Sequence, residues 1–308
     1  MLLLLVGAGF FVSTFLIARK EVKRQMQQMK AVADIMVEIV EERGEIPEEP
    51  YLEGEIGYLY TNLYKLVNSL RESKDKEKQE KIFLRDIISD IAHQLKTPLA
   101  SLTVFTDLLY EDRVTEEEKR KQLLAESKNQ ISRMEWMVLS MLKLARIEAG
   151  AIVFEKTPSH LKQLLEQAAE SVGYLTDQRK QRIKVVCESD LLLSCDGEWL
   201  TEAIINLLKN ASDYSPEATT ISIEVEHTAV YTRIYVKDQG MGIPQEALPH
   251  IFKRFYRVNN EVNPNSVGIG LSLTKSIVEG MGGKISVRSE LGRSTTFLLT
   301  FVDMDGKG

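Results

Sequence analysis

Four stretches of this 308-residue chain hold polar residues and glycines at spacings that chemistry could use. In the first, DIAHQLKTPLASL from Asp90 to Leu102, Thr97 lies one helical turn beyond His93, with Gln94 beside the histidine and Pro98 just after. An exposed histidine is partly neutral near pH 7, and its imidazole can act as a nucleophile. In the second, Glu202, Asn206 and Asn210 follow one another at i+4 on one helix face. Their oxygens can reach one hard cation and a phosphate together. In the third, Asp238-Gln-Gly240-Met-Gly242 follows a strand-like run. Its glycines permit close backbone approach, and its carboxylate can accept from an exocyclic amine such as that of adenine. The fourth, Ser266-Val-Gly268-Ile-Gly270-Leu271, opens a helix, where free N–H groups and the helix dipole favour phosphate. It is neither a dinucleotide-binding fingerprint nor a P-loop, because no strand leads in and no Gly-Lys-Ser/Thr follows. Singly, each stretch also reads as a solvated helix face or an ordinary turn.

The elements around them are legible from periodicity. Leu84, Ile88, Ile91, Leu95, Pro98, Leu102, Phe105 and Leu109 step by four and three, a heptad seam. His93 sits two residues past Ile91, on the outward face, and Pro98 interrupts the hydrogen-bond ladder and predicts a local kink. After a turn near Asp112, Thr115 with Glu118 predicts a capping box. The second seam runs Leu124, Ser127, Ile131, Met134, Val138, Met141, Ala145, and Gly150 is the expected C′ residue. Two such stripes are buried most simply in a homodimeric four-helix bundle. From Ala151 the pattern becomes α+β. Strands are expected at Ala151–Glu155, Arg182–Glu188, Leu191–Cys195, Thr219–Glu226, Tyr231–Asp238, Lys284–Arg288 and Thr295–Val302. Helices are expected near Ser159–Tyr174, Trp199–Ser212 and Gly270–Met281, giving one mixed sheet covered on one face.

The N-terminal region reads differently. Met1 to Ile17 carries no charge and as a helix spans about 26 Å at ~1.5 Å per residue. The charges follow it, at Arg19, Lys20, Lys23 and Arg24, with no small-residue cleavage site. That argues for a membrane span over a signal peptide, with the rest of the chain in the cytoplasm and no room for an extracellular domain. Helical patterns continue from Glu21 to Arg43, ending at Gly44 and Pro47, and from Gly57 to Lys81. The expected order is therefore a transmembrane helix at 1–18, a helical connector at 19–80, a dimeric hairpin at 81–150 and an α/β sandwich at 151–308.

Composition narrows the functional classes. The 39 Lys+Arg against 45 Asp+Glu give a net charge of −6, without the basic excess that nucleic-acid binding demands. Two cysteines, Cys187 and Cys195, cannot build a disulfide framework or a cysteine-based zinc site.

Asp90 to Leu102 resembles the phosphoacceptor box of bacterial sensor histidine kinases, with His93, Thr97, Pro98 and Leu99 matching. Gln94 departs, since that family usually has a carboxylate there acting as base; an amide can orient the ring but takes no proton. The three later motifs, in order and spacing, resemble the N, G1 and G2 boxes of the GHKL ATP-binding fold. Phe252-Lys-Arg-Phe255-Tyr256-Arg257 resembles its F box, and Gly292-Arg-Ser294-Thr-Thr-Phe its last box. The resemblance covers about residues 80–302. It implies ATP as substrate and Mg2+ held by Asn210 with Asn206 and Glu202. It also implies adenine read by Asp238, and a nucleotide site completed by Tyr214, Gly240, Gly242, Arg257, Gly268, Gly270 and Leu271. His93 would take the phosphoryl group and pass it to a response regulator, and Thr97 would orient water for the reverse phosphatase step. Asp213 stands where the family often has Lys or Arg, so the charge facing the phosphates must come from Arg257, Arg254 or Lys253. A short N-terminal region resembles intramembrane-sensing kinases, which often serve a transporter. Two other readings compete: a GHKL ATPase of another kind with Glu202 activating water, and a signalling adaptor that binds ATP without phosphoryl transfer.

Overall fold

The structure, a computed structural model, describes residues 2–40, 54–111, 113–258 and 266–302; the expected helix end at Gly44 and Pro47 and the turn at Asp112 lie outside these. The chain divides into two compact units, Met1–Phe83 and Leu84–Gly308.

The first unit holds α1 (Leu2–Val40) and the beginning of α2 (Gly54–Tyr110). The expected span and the charged segment behind it form one helix. Val32, Tyr60 and Val67 are buried, while Phe10, Phe11, Phe15, Leu16 and Ile17 are exposed. Among the described residues no helix is long and apolar enough to cross a membrane, and the side chains of residues 1–6, which begin the span expected at 1–18, lie outside them.

In α2 the helical runs expected from Gly57 and from Leu84 are a single 57-residue helix that continues through Pro98. Proline lacks the N–H that would bond the carbonyl four residues back, at Gln94, so the ladder loses one rung beside His93. The second hairpin helix, α3, spans Glu117–Glu148. Its N-cap is Glu116, with no side-chain cap bond, so the expected Thr115–Glu118 capping box does not form. The helix starts one residue too late for Thr115 to serve as cap, and Glu117 and Glu118 favour the dipole instead. At the other end Gly150 adopts φ +65° as expected, closed by Gly150 N–H to Ile147 O and Ala151 N–H to Arg146 O.

The sandwich begins one step later than its sequence suggests. Ala151–Glu155 forms no strand; Phe154 packs edge-on against Trp199 at 5.8 Å, so that apolar run is spent on packing. The first strand is β1 (Thr157–His160), antiparallel to β3 (Leu192–Cys195). The main sheet orders β2 (Arg182–Val186), β4 (Thr220–His227), β5 (Tyr231–Lys237), β7 (Ser294–Val302) and β6 (Lys284–Glu290). Only the β2–β4 pairing is parallel. On β5, Thr232, Ile234 and Val236 are buried while their neighbours are half-exposed, the alternation of a sheet with one covered face. The cover is α4 (Leu161–Ser171), α6 (Gly197–Tyr214) and α7 (Gly270–Gly280), through Leu165, Ile204, Leu208 and Ile277. The helix expected over Ser159–Tyr174 is divided at Val172, and α5 (Gly173–Gln178) continues it.

The hairpin and the sandwich fall in one unit because α3 has two apolar faces. Besides the predicted seam it buries Met137, Leu144 and Ile147, and it packs against α7. Burial of each such side chain is worth about 1.5–3 kcal/mol, enough together to make the docking specific.

Candidate active site

A cavity of about 500 Å³ opens where α6, the end of β5 and the start of α7 meet. Its lining includes Asn206, Asn210, Tyr214, Asp238, Gly242, Arg257, Gly268, Gly270 and Leu271, so nine of the predicted positions converge there. Asp196 caps α6 by accepting from Trp199 N–H at 3.3 Å, which fixes where the polar face of that helix begins. Asn206 is buried with its Nδ2 unpartnered among the described residues, and its carboxamide lies 3.9 Å from where a Cβ of Gly270 would stand. An orphaned buried amide on the cavity wall is what a polar ligand would satisfy.

Asp238 ends β5. Its Oδ1 accepts from Gly240 N–H at 2.8 Å and Thr295 N–H at 3.0 Å. Burial pushes its carboxyl up, and those two backbone donors pull it back down. Both bonds fall on Oδ1, leaving Oδ2 without a partner among the described residues. Gly240 does not line the cavity but sets it: a Cβ there would lie 2.6 Å from Tyr214 O. Gly242 turns with φ +70°, and an added Cβ would stand 2.2 Å from Glu290 O. We therefore expect Gly242→Ala to cost more than about 1 kcal/mol and to lower the thermal midpoint, since the turn must move against β6 backbone. An unchanged melting curve would show that the turn is not held as described. Gly268 has φ +78°, and its carbonyl accepts from Phe255 N–H at 2.9 Å, which ties the two flanks of the cavity mouth together. Among the described residues no side chain caps the N-terminus of α7, whose first N–H groups follow Gly268.

Glu202 stands apart from this group. Lys143 Nζ on α3 donates to both of its carboxylate oxygens, at 2.8 and 2.7 Å, and it does not line the cavity. The geometry brings Asn206 and Asn210 to the cavity and leaves Glu202 to the helix interface.

His93, Gln94 and Thr97 are all exposed on α2. One turn before His93, Asp90 lies 3.9 Å from Arg254 Nη1, and Arg254 Nη2 donates to Glu148 at 3.2 Å. Ser276 on α7 also donates to Glu148, whose carboxyl is pushed up by burial and drawn back mainly by Arg254. Arg254, one expected source of charge for the phosphates, is thus engaged with hairpin carboxylates. Two residues the motifs did not single out join the site from α3. Trp136 lines the cavity, and Arg133 Nη2 donates to Ser266 O at 3.4 Å. The signal was a second stripe on α3 at Met137, Leu144 and Ile147, outside the heptad seam and close to both.

An outward histidine on a helical hairpin, docked on a mixed sandwich with a polar, glycine-walled cavity, defines a two-domain phosphotransfer architecture. Residues 83–150 match the His Kinase A (phospho-acceptor) domain and residues 195–305 match the Histidine kinase-, DNA gyrase B-, and HSP90-like ATPase. The chain belongs to the two-component sensor histidine kinases. It is similar to sensor protein SrrB of Staphylococcus aureus (strain N315), with 30% identity over 217 residues, 70% of this chain and 37% of that protein. The chain thus spans little more than a third of the length of the curated relatives it matches. In fold it is similar to Acinetobacter baumannii histidine kinase AdeS (TM-score 0.58, 22% identity, 70% of this chain and 98% of that one). It is also similar to histidine kinase ThkA in complex with response regulator protein TrrA (TM-score 0.60, 21% identity, 78% of this chain and 67% of that one).

Proposed function

We propose that this chain is an ATP-dependent protein histidine kinase that phosphorylates itself on His93 and passes the phosphoryl group to an aspartate of a response regulator. The observation that carries the reading is the pairing, in one compact unit, of an exposed His93 with a cavity walled by Asn206, Asn210 and Asp238. In the transfer, a ring nitrogen of His93 forms a bond to the γ-phosphorus while the bond to the departing ADP oxygen breaks. Bound Mg2+ supplies charge neutralisation at the phosphates, and Asn210 and Asn206 offer the hard oxygens to hold it. Asp238 accepts from the adenine amine through Oδ2. The uncapped N–H groups of α7 receive phosphate oxygens, and Arg257 faces the terminal charge. Gln94 orients the His93 ring without taking its proton.

Several wider features follow the same reading. Leu84, Ile88, Leu124 and Ile131 of the two seams are exposed in the single chain, which supports a homodimeric four-helix bundle as their cover. The uncharged, exposed run of α1 followed by Arg19, Lys20, Lys23 and Arg24 supports a membrane anchor there, with the catalytic region in the cytoplasm. Incubating the full chain with radiolabelled ATP and Mg2+ tests the reading. Label that is lost in acid and kept in base is expected; nucleotide binding without label would instead identify an adaptor.

Thr97 shares the exposed side of α2 with His93, and its hydroxyl can align a water on a regulator's aspartyl-phosphate. We expect Thr97→Ala to leave autophosphorylation intact and to slow regulator dephosphorylation by ~10²-fold. Dephosphorylation at the wild-type rate would remove Thr97 from that step.

A further inference from the structure

The nucleotide reading leaves a charge deficit. The cavity wall on α6 carries Asp213, a carboxylate, where phosphates would need a cation, and Arg254 is bound to Glu148 and Asp90. Arg257 lines the cavity and Lys209 stands exposed at its edge.

A further cation reaches the rim from the hairpin. Arg133 lies one turn before Trp136 on α3; Trp136 lines the cavity, and Arg133 donates to the carbonyl of Ser266, itself a lining residue. That long bond is the single hydrogen bond of its guanidinium among the described residues, and its buried Nε has no partner. Burial, and next the nearby charge of Arg257, press the Arg133 guanidinium down from its ordinary value, with Glu126 two turns back offsetting part of this. Two guanidinium groups close enough to repel, one of them half-buried and half-satisfied, stand in an arrangement that an anion between them would relieve.

We propose that Arg133 is a phosphate-binding group of the nucleotide site, contributed by the phosphoacceptor hairpin in place of the cation that Asp213 displaces from α6. This rests on the reading of the cavity as an ATP site. The site is then complete only with α3 docked, and the polyphosphate becomes a bridge between the two halves of the unit. Adenosine, which lacks the phosphates, makes no use of Arg133.

The test is calorimetric, on the full chain in detergent with Mg2+, titrating ATP and adenosine separately. Arg133→Gln keeps much of the side-chain stem, and thermal melting checks that it folds. It is expected to weaken ATP by about tenfold or more, the scale of one charge-assisted bond, and to leave adenosine unchanged. Arg133→Lys should recover part of the loss. Adding Asp213→Lys to Arg133→Gln should also recover part, by restoring a cation from the α6 side, which a purely structural role for Arg133 would not allow. ATP binding at the wild-type level in Arg133→Gln, equal losses for ATP and adenosine, or no recovery with either lysine would overturn the proposal. A wild-type chain that binds neither ligand would instead overturn the nucleotide reading itself, and this assignment with it.

Discussion

His93→Gln is expected to abolish acid-labile phosphorylation while ATP binding persists. The chain has four histidines, and His160, His227 and His250 all lie in the sandwich rather than on the hairpin. His227 contacts Thr232 Oγ1 across the β4–β5 hairpin at 3.0 Å, and the His250 ring packs against Tyr256 at 5.7 Å. His93 is exposed on α2, so the substitution removes the proposed nucleophile without opening a core cavity. Glutamine keeps hydrogen-bonding capacity and helix propensity but cannot carry a phosphoryl group. The measurement is labelling of the full chain, wild type and variant, with calorimetry to show that the nucleotide still binds. Undiminished acid-labile label in His93→Gln would place the acceptor elsewhere.

The second large effect falls on the nucleotide. Asn210→Ala should reduce autophosphorylation to near background, because the carboxamide oxygen proposed to hold Mg2+ disappears and alanine supplies no substitute. Asn210 is half-exposed on the cavity wall, and alanine is the better helix former by a few tenths of a kcal/mol, roughly. The thermal midpoint should therefore hold or rise slightly while activity falls. The diagnostic is this opposite movement, which a folding defect would not produce. Wild-type kinase activity in a folded Asn210→Ala chain would release Asn210 from its assignment.

The local parts of this fold were legible because their signals are local. Six of the seven expected strands and the cavity helices appear where β-branched alternation and 3.6-residue periodicity put them. The positive-φ turns at Gly150, Gly242 and Gly268 coincide with glycines that backbone stereochemistry demands. The misreadings arose where tertiary packing overrode a pattern. Thr115 and Glu118 have capping-box spacing, yet the helix begins at Glu117. Ile152 to Phe154 form a β-branched, apolar run like that of a strand, yet Phe154 is drawn to Trp199. Asn206, Asn210 and Asp238 reach one cavity, as expected from the contiguous motifs in which they sit. Glu202 has the same spacing, but periodicity cannot say that Lys143, fifty-nine residues earlier, will claim its carboxylate. Arg133 and Trp136 lie in no motif, and only the docking of α3 on α7 brings Trp136 to the cavity wall and Arg133 to the carbonyl of Ser266.

The two faces of α3 bear on how this chain could be re-engineered or exchanged by recombination. A kinase is often pictured as cassettes, with the acceptor hairpin and the ATP-binding half cut at the loop between them. Here a cut at Gly150 would separate α3, with its buried Met137 and Leu144, from the α7 it packs against, exposing apolar surface on both fragments, and would part Lys143 from Glu202. A chimera joined at that loop inherits a foreign α3, and its new ATP-binding half meets side chains never selected to fit it. The natural seam for exchange therefore lies upstream of α3, so that this helix travels with the sandwich it faces.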